Sequence, residues 1–334
     1  MATATPNLRL VPSPSRETKK VESALDLIGD TPLLEIRRIS EGAIPSGVRI
    51  FAKLEGFNPG GSVKDRPALK MVQEGIRAGK LRPGKTILDS TSGNTGIALA
   101  MIGRILGFPV ELVIPANVSA ERKKIISAYA AKVTYSDPLE GSDGAIRLCR
   151  QILEGNPKKY FKPDQYFNPM NSEAHYETTG PEIYRQTHGT ITHFIAGIGT
   201  GGTIMGTGRY LKEMNPAVKV IAVEPDDALH GLEGLKHMAS SIVPGIYREE
   251  ELDDKIPVAT DDAYAMVYRL SQEEGILVGQ SSGAAISASL RLARKLTGAT
   301  IVTIFPDFGD KYLTTNLWVG WRDRMAVGNL KFSI

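Results

Sequence analysis

The sequence predicts an α/β protein of two domains, each a mainly parallel twisted sheet flanked by helices, and three observations carry that reading. Strand-like runs such as Thr86–Ser90 and residues 220–224 alternate with helical patterns along most of the chain. Turns rich in glycine and small polar residues stand at several strand-to-helix junctions. At 334 residues the chain has material for about two domains with real cores.

The first junction follows Arg-Ile-Phe-Ala-Lys-Leu-Glu at 49–55, which alternates as a strand does. Asn58-Pro-Gly-Gly-Ser-Val-Lys64-Asp-Arg66 then opens a helix in which Leu69, Val72 and Ile76 recur at helical spacing. Ser62 is placed to cap that helix with Asp65 as its reciprocal partner, while Pro67 leaves the start open by a residue or two. Lys64 then falls in the first turn, where the helix dipole and desolvation favour the neutral amine that Schiff-base chemistry needs. The competing reading is a surface lysine in a capped helix.

At the second junction Thr91-Ser-Gly-Asn-Thr-Gly96 links the strand Thr86–Ser90 to a largely buried helix over 97–106. Backbone N–H groups at the helix start, with the hydroxyls of Thr91, Ser92 and Thr95, suit a carboxylate or phosphate, and Asn94 is free to contact a neutral or ionised group. A helix cap dressed with polar residues is the alternative.

The third junction runs from a strand at 192–196 through Gly197-Ile-Gly199-Thr-Gly-Gly202-Thr-Ile-Met-Gly206 into a helix ending near Glu213. Gly197, Gly199 and Gly202 satisfy the dinucleotide fingerprint, and Glu224 ends the next strand where a ribose-binding acid belongs. A nicotinamide-dependent oxidoreductase is therefore a live reading. Against it, the turn is denser in glycine than that fingerprint needs, and Thr200 and Thr203 add hydroxyls suited to a terminal phosphate monoester.

These motifs, with Gly279-Gln-Ser281-Ser282-Gly283 near the C-terminal end, resemble the pyridoxal-phosphate enzymes of fold type II. The likeness is nearest to the cysteine synthases, in particular those that use O-phosphoserine, with the catalytic core of cystathionine β-synthase close behind. It covers about Val21 to Trp321, and the motifs fall in the family's order and spacing. The resemblance implies that Lys64 holds pyridoxal 5′-phosphate through a Schiff base and that Asn94 bonds the ring hydroxyl. Gly199, Thr200, Gly201, Gly202 and Thr203 would cradle the cofactor phosphate. Thr91, Ser92, Thr95 and Gln165, the last in Gln165-Tyr-Phe-Asn-Pro169, would hold the substrate's α-carboxylate. Ser281 would meet the pyridine nitrogen, or Ser282 if the register is one residue off.

A neutral serine at that nitrogen cannot hold it protonated, so the cofactor is a weaker electron sink and transamination is disfavoured. β-Elimination followed by addition remains open. In that cycle an activated serine displaces Lys64, which becomes the base at Cα, and a sulfur nucleophile adds to the α-aminoacrylate to give L-cysteine. The phosphoserine-using members carry an arginine where Lys236 aligns, so Lys236 is expected to bind a leaving phosphate, with His230 or His237 as helper and a solvated loop as the alternative. O-Acetylserine is the other activated serine to weigh, and condensation of serine with homocysteine is the alternative within the family. A cofactor-fold regulator without turnover is the alternative outside enzymology. Serine or threonine dehydratases compete too, though their phosphate loops are more uniformly glycine than Gly199-Thr-Gly-Gly-Thr203.

The remaining features set bounds. Forty basic against thirty-seven acidic residues give a net charge of +3, with no basic face interleaved with aromatics, so nucleic acid is not implied. The longest apolar runs, such as 97–102, are too short to cross a bilayer, and no signal peptide is visible. The single cysteine, Cys149, lies in a helical pattern at 144–153 beside Ile146 and Leu153 and is expected in the core, so a reducing cytoplasm is the natural compartment and no metal site is expected. His175 is expected to pack or hydrogen-bond, Asp307 to support the cofactor ring, and Glu249 to Asp254 to form a solvated acidic loop.

Residues 1–20 lack periodicity and are expected to form a mobile arm, and 326–334 a tail. By resemblance a smaller domain spans 49–159, a larger one takes 21–48 plus 160–325, and the cofactor lies between them. The smaller domain would close over substrate. Regulatory tandem domains are not expected, since the chain stops soon after Trp321. A homodimer is implied, and the expected partners are an amino-acid substrate and a sulfur donor, with a thiocarboxylated sulfur-carrier protein or a serine acetyltransferase as candidate protein partners.

Overall fold

The computed structural model describes residues 20–91 and 93–319. The expected arm, apart from Lys20, and the tail at 326–334 lie outside that range, as do Ser92 and Trp321. Among the described residues ten strands occur: β1 (Leu33–Ile36), β2 (Arg49–Leu54), β3 (Thr86–Ser90), β4 (Val110–Pro115), β5 (Lys132–Ser136), β6 (Tyr160–Phe161), β7 (His193–Gly197), β8 (Lys219–Pro225), β9 (Asp254–Val258) and β10 (Thr300–Phe305). They form a six-stranded sheet in the order β1-β2-β10-β7-β8-β9 and a four-stranded sheet in the order β5-β4-β3-β6. Only β1 runs antiparallel to its neighbour. The α/β architecture with mainly parallel sheets is thus as expected.

Sheet membership does not follow the expected division at residue 49. β2 pairs with β1 and β10, setting Phe51 against Glu35 and Val302, so it belongs to the larger sheet. β6 instead pairs with β3 in the smaller sheet. The alternation of residues 49–54 identifies a strand, but its parallel partner β10 lies about 250 residues away, beyond any local pattern.

Parallel strands covered by helices on both faces need apolar side chains on both. Alternate residues of the larger sheet feed two cores: Ile50, Ala52 and Ile301 face one, while Phe194, Ala196, Val302 and Ile304 face the other. The smaller sheet does the same, with Ile87, Leu112 and Ile114 on one side and Leu88 and Val113 on the other. Cys149 lies in that last cluster, fully buried, where burial pushes its thiol up to about 12 and makes it inert at neutral pH.

The helix Asp65–Arg77 buries Ala68, Met71, Val72 and Gly75. Of the three residues that mark its periodicity, Val72 is fully buried, Leu69 packs partly, and Ile76 stays 40% exposed. The core face is therefore rotated from the one those residues predict, because Gly75 lets Phe161 press against the helix: a Cβ there would stand 2.3 Å from that ring. The acidic run at 249–254 is not simply solvated either, since Asp253 pairs with Lys212 at 2.7 Å and Lys219 at 3.0 Å and accepts from Val220 N–H.

Candidate active site

In open α/β sheets ligands bind beyond the carboxyl ends of the strands, and here the segments that follow β2, β3, β7 and β10 converge. Val63 N–H donates to Pro306 O at 2.8 Å, and Ser62 and Asp307 form an antiparallel bridge, so the turn before the first helix is tied to the end of β10. Lys64 occupies the N-cap rather than the first turn, its N–H bonded to Ser62 Oγ at 3.2 Å. The expected capping box does not form. Gly61, at φ +78°, turns the chain so that Gly60 N–H, and not the Ser62 amide, reaches the Asp65 carboxylate. Burial pushes the Asp65 carboxyl up to about 7.

Burial lowers the Lys64 pKa, opposed by the charges of Asp307 and Glu55. Two residues on, Arg66 bonds both Glu55 and Glu182 at 2.7–2.8 Å, and Lys53 completes that buried network through Glu182 at 2.6 Å. The network fixes the start of the Lys64 helix on β2 and on the helix Gly180–Gln186.

In the loop after β3, Thr95 Oγ1 donates to Gln165 Oε1 at 2.7 Å, and Gln165 Nε2 donates to Ser90 O at 2.7 Å. The N-cap of the helix Asn94–Leu106 makes no side-chain cap, which leaves the N–H groups of Asn94 and Thr95 for a ligand. Thr91, expected to contact substrate, turns inward instead: its hydroxyl oxygen accepts from Gly93 N–H at 3.0 Å and Gly96 N–H at 3.2 Å, because Gly93, at φ +143°, folds the loop back over it.

The loop after β7 is equally tight. A Cβ on Gly199 would lie 2.2 Å from Gly234 O, and one on Gly202 1.9 Å from Asn171 Oδ1. Gly201, at φ +84°, leads into the helix Gly202–Met214, which also lacks a side-chain cap. Asn171 Nδ2 donates to Thr200 Oγ1 at 3.1 Å. Behind Thr203, 3.3 Å from its hydroxyl, stands Nε2 of buried His175, whose other ring nitrogen meets Thr179 at 2.8 Å. Burial, helped by Arg66, pushes its pKa down to about 3, so it packs and bonds as a neutral ring. Glu224, where a ribose-binding acid was expected, pairs with Lys255 at 3.1 Å and accepts from Met238 N–H.

A cavity of about 500 Å³ is lined by Lys64, Asn94, Thr95, Gln165, Gly199, Thr200 and Lys236. An adjoining narrower space is lined by Lys64, Asn94, Gly199, Thr200, Gly201, Thr203 and Ser281. Gly202 lies behind that wall, against Asn171. Of the two serines weighed, Ser281 faces the space, while Ser282 Oγ is buried without a partner. Lys236 is no loop lysine in solvent: it is 5% exposed, with Nζ 2.7 Å from Asp143 Oδ1. His230 lines the cavity, whereas His237 bonds Ser240.

The sequence reading missed Arg122, Asp143 and Lys311. Arg122 is buried, pairs with Glu233 and stacks 4.5 Å above the Tyr312 ring. No local pattern marks these three, since each acts across the cleft.

The residues present suit pyridoxal phosphate. They combine a half-buried lysine whose charge is disfavoured, an uncapped helix start with threonine hydroxyls, and a serine, Ser281, facing the same space. The family described as pyridoxal-phosphate dependent enzyme matches residues 24–307. The chain belongs to that family. It is 56% identical to the cysteine synthase of Aquifex aeolicus over 90% of this chain and 93% of that one. Cysteine synthase B of Pseudomonas aeruginosa is 42% identical over 90% and 99%. Among solved structures, cysteine synthase from Entamoeba histolytica superposes with TM-score 0.87 at 38% identity over 93% and 94% of the chains. The O-acetylserine dependent cystathionine β-synthase of Helicobacter pylori gives 0.85 at 36%, over 90% and 100%. The protein is thus an enzyme that depends on pyridoxal phosphate, of the cysteine synthase group. Among the described residues no cluster of His, Cys, Asp and Glu could hold a metal, and no helix is long and apolar enough to cross a membrane.

Proposed function

We propose that this enzyme makes L-cysteine by replacing the β-substituent of an O-activated serine with sulfur, with Lys64 as both cofactor anchor and base. The observation that supports it is the single buried space shared by Lys64, Asn94, the loop after β7 and Ser281. When bound, pyridoxal phosphate supplies the electron sink that acidifies the α-C–H of an amino acid joined through its amino group. Lys64, whose charged form is disfavoured by desolvation, takes the proton from Cα and returns it there after sulfur has entered. Thr200, Thr203 and the start of the helix Gly202–Met214 hold the cofactor phosphate. The N–H groups of Asn94 and Thr95, with the side chains of Thr95 and Gln165, hold the α-carboxylate. Ser281 offers the ring nitrogen a hydroxyl and no carboxylate, which favours departure of the β-group over transamination.

The leaving group is read from Lys236, a cation in the cavity wall that favours O-phosphoserine over O-acetylserine. The unit built on the four-stranded sheet closes over the substrate, and the enzyme works as a cytoplasmic homodimer with a sulfide-level donor. The visible spectrum of the holoenzyme tests the reading in separate cuvettes of O-phosphoserine, O-acetylserine and serine. The cofactor band moves with O-phosphoserine at the lowest concentration. If it moves first with serine and product forms only with homocysteine, the cystathionine-forming reaction replaces this one.

A further inference from the structure

The Asn94 amide is gripped at both ends by charged groups. Its Nδ2 donates to Asp307 Oδ2 at 2.7 Å, and its Oδ1 accepts from Lys311 Nζ at 3.2 Å. We propose that Lys311 and Asp307 are positioning residues that lock the rotation of this amide so that an N–H, and never the carbonyl oxygen, faces the cofactor's ring oxygen. The inference rests on the reading that Asn94 meets the cofactor.

A carboxylate only accepts hydrogen bonds and an ammonium only donates them. The flipped amide would set oxygen against carboxylate and NH₂ against ammonium, so one orientation is selected by charge. Nδ2 carries two N–H groups. One goes to Asp307, and the other is left for the space that Asn94 and Lys64 line together. The Lys311 cation also draws electron density through the amide, which strengthens the remaining N–H as a donor.

Neither partner is free to swing. Lys311 is 3% exposed, and its ammonium also bonds Gly61 O at 2.7 Å and Gly60 O at 3.2 Å, in the turn that carries Lys64. A Cβ on Gly61 would stand 3.0 Å from that nitrogen. Asp307 Oδ2 accepts a second bond from Tyr312 OH at 2.6 Å, and the Tyr312 ring lies under the Arg122 guanidinium. The charges around the clamp are Glu55, Lys64, Asp65, Arg122, Asp307, Asp310 and Lys311. One ammonium thus registers the Lys64 turn, the Asn94 helix and the segment after β10 against each other.

An N–H aimed at the ring oxygen favours the form of the bound cofactor in which that oxygen has lost its proton. A freed or flipped amide favours the form that keeps it, and the two forms absorb in different bands. The test is the band ratio of the substrate-free holoenzyme of the parent, Lys311→Met, Lys311→Arg, Asp307→Asn and Asn94→Ala, with thermal melting as the check on folding. Lys311→Met is expected to raise the share of the protonated-oxygen band by about threefold or more, the effect of one hydrogen bond. Lys311→Arg restores the parent ratio, and Asn94→Ala combined with Lys311→Met shifts no further than Asn94→Ala alone. Should Lys311→Met fail to fold, Asp307→Asn, whose amide tolerates either orientation of Asn94, carries the same expectation. A folded Lys311→Met or Asp307→Asn enzyme with the parent ratio overturns the clamp, as do additive shifts in the double variant. A parent ratio in Asn94→Ala instead overturns the placement of Asn94 on the cofactor.

Discussion

Lys236 reaches across the cleft to Asp143, with Nζ 2.7 Å from Oδ1. Lys236 lies in the loop after β8, whereas Asp143 lies near the start of the helix Gly141–Gly155, which packs on the smaller sheet. The pair therefore joins the two sides of the cavity, and an anionic leaving group that enters competes with Asp143 for the Lys236 charge.

A phosphate on Lys236 is a charge-assisted contact worth about 1.5–3 kcal/mol. Lys236→Ala should lower kcat/KM for O-phosphoserine by about 10- to 100-fold and leave O-acetylserine within about twofold. Asp143→Asn should lower KM for O-phosphoserine, because its competitor for Lys236 is gone. Steady-state kinetics on both substrates decide it, and equal losses on the two would remove Lys236 from leaving-group recognition.

Gln165 joins the Thr95 hydroxyl to Ser90 O, both buried. Gln165→Ala leaves those groups unpaired, which costs about 1–3 kcal/mol of stability, and it should raise the amino-acid KM. Urea denaturation and kinetics read the two effects separately. An unchanged KM beside a lowered stability would make Gln165 a purely structural residue.

Gly202→Ala drives a methyl group to 1.9 Å from Asn171 Oδ1, the residue that also holds Thr200. Cofactor affinity should fall at least about tenfold, as the loss of one charge-assisted bond would give. Gly42→Ala, at φ +69° in open space, tests backbone strain alone and should cost about 1 kcal/mol without touching the cofactor. Equilibrium dialysis of the cofactor against each variant measures the difference.

His175 has a pKa near 3 in the folded protein, against 6.5 as the ordinary value. The unfolded chain therefore binds the extra proton first, so this residue's contribution is fully present above about pH 6.5 and is lost as pH falls toward 3. Its slope is at most about 1.4 kcal/mol per pH unit. Asp65, raised to about 7, acts in the opposite sense, so the parent curve mixes the two. His175→Asn isolates the histidine: its stability relative to the parent should improve as pH falls from 7 to 5, measured by urea midpoints. A constant difference would show that the ring is protonated without penalty.

What the sequence revealed and what it hid divide along one physical line. That Lys64, Asn94 and the loop Gly199 to Thr203 stand at strand-to-helix turns facing one space was legible, because strand, turn and helix start are consecutive residues. Asp143, Arg122 and Lys311 were not, since their partners Lys236, Glu233 and Asn94 come from other loops. The sheet that β2 joins was hidden for the same reason. Thr91 shows a subtler limit: its residue type suits a ligand, but only the fold of Gly93 shows that its oxygen serves the loop. Likewise Asp65 has the spacing of a capping partner, and the turn at Gly61 hands it to Gly60 instead.

The most direct test of the whole account is where the cofactor is attached. The purified holoenzyme is treated with borohydride, digested, and its peptides are mapped by mass spectrometry beside the Lys64→Ala variant. Lys64 of the parent should carry a reduced pyridoxyl group, and the variant should lose both the label and the yellow colour. A label on Lys236 or Lys311, or a parent that carries none, would contradict it.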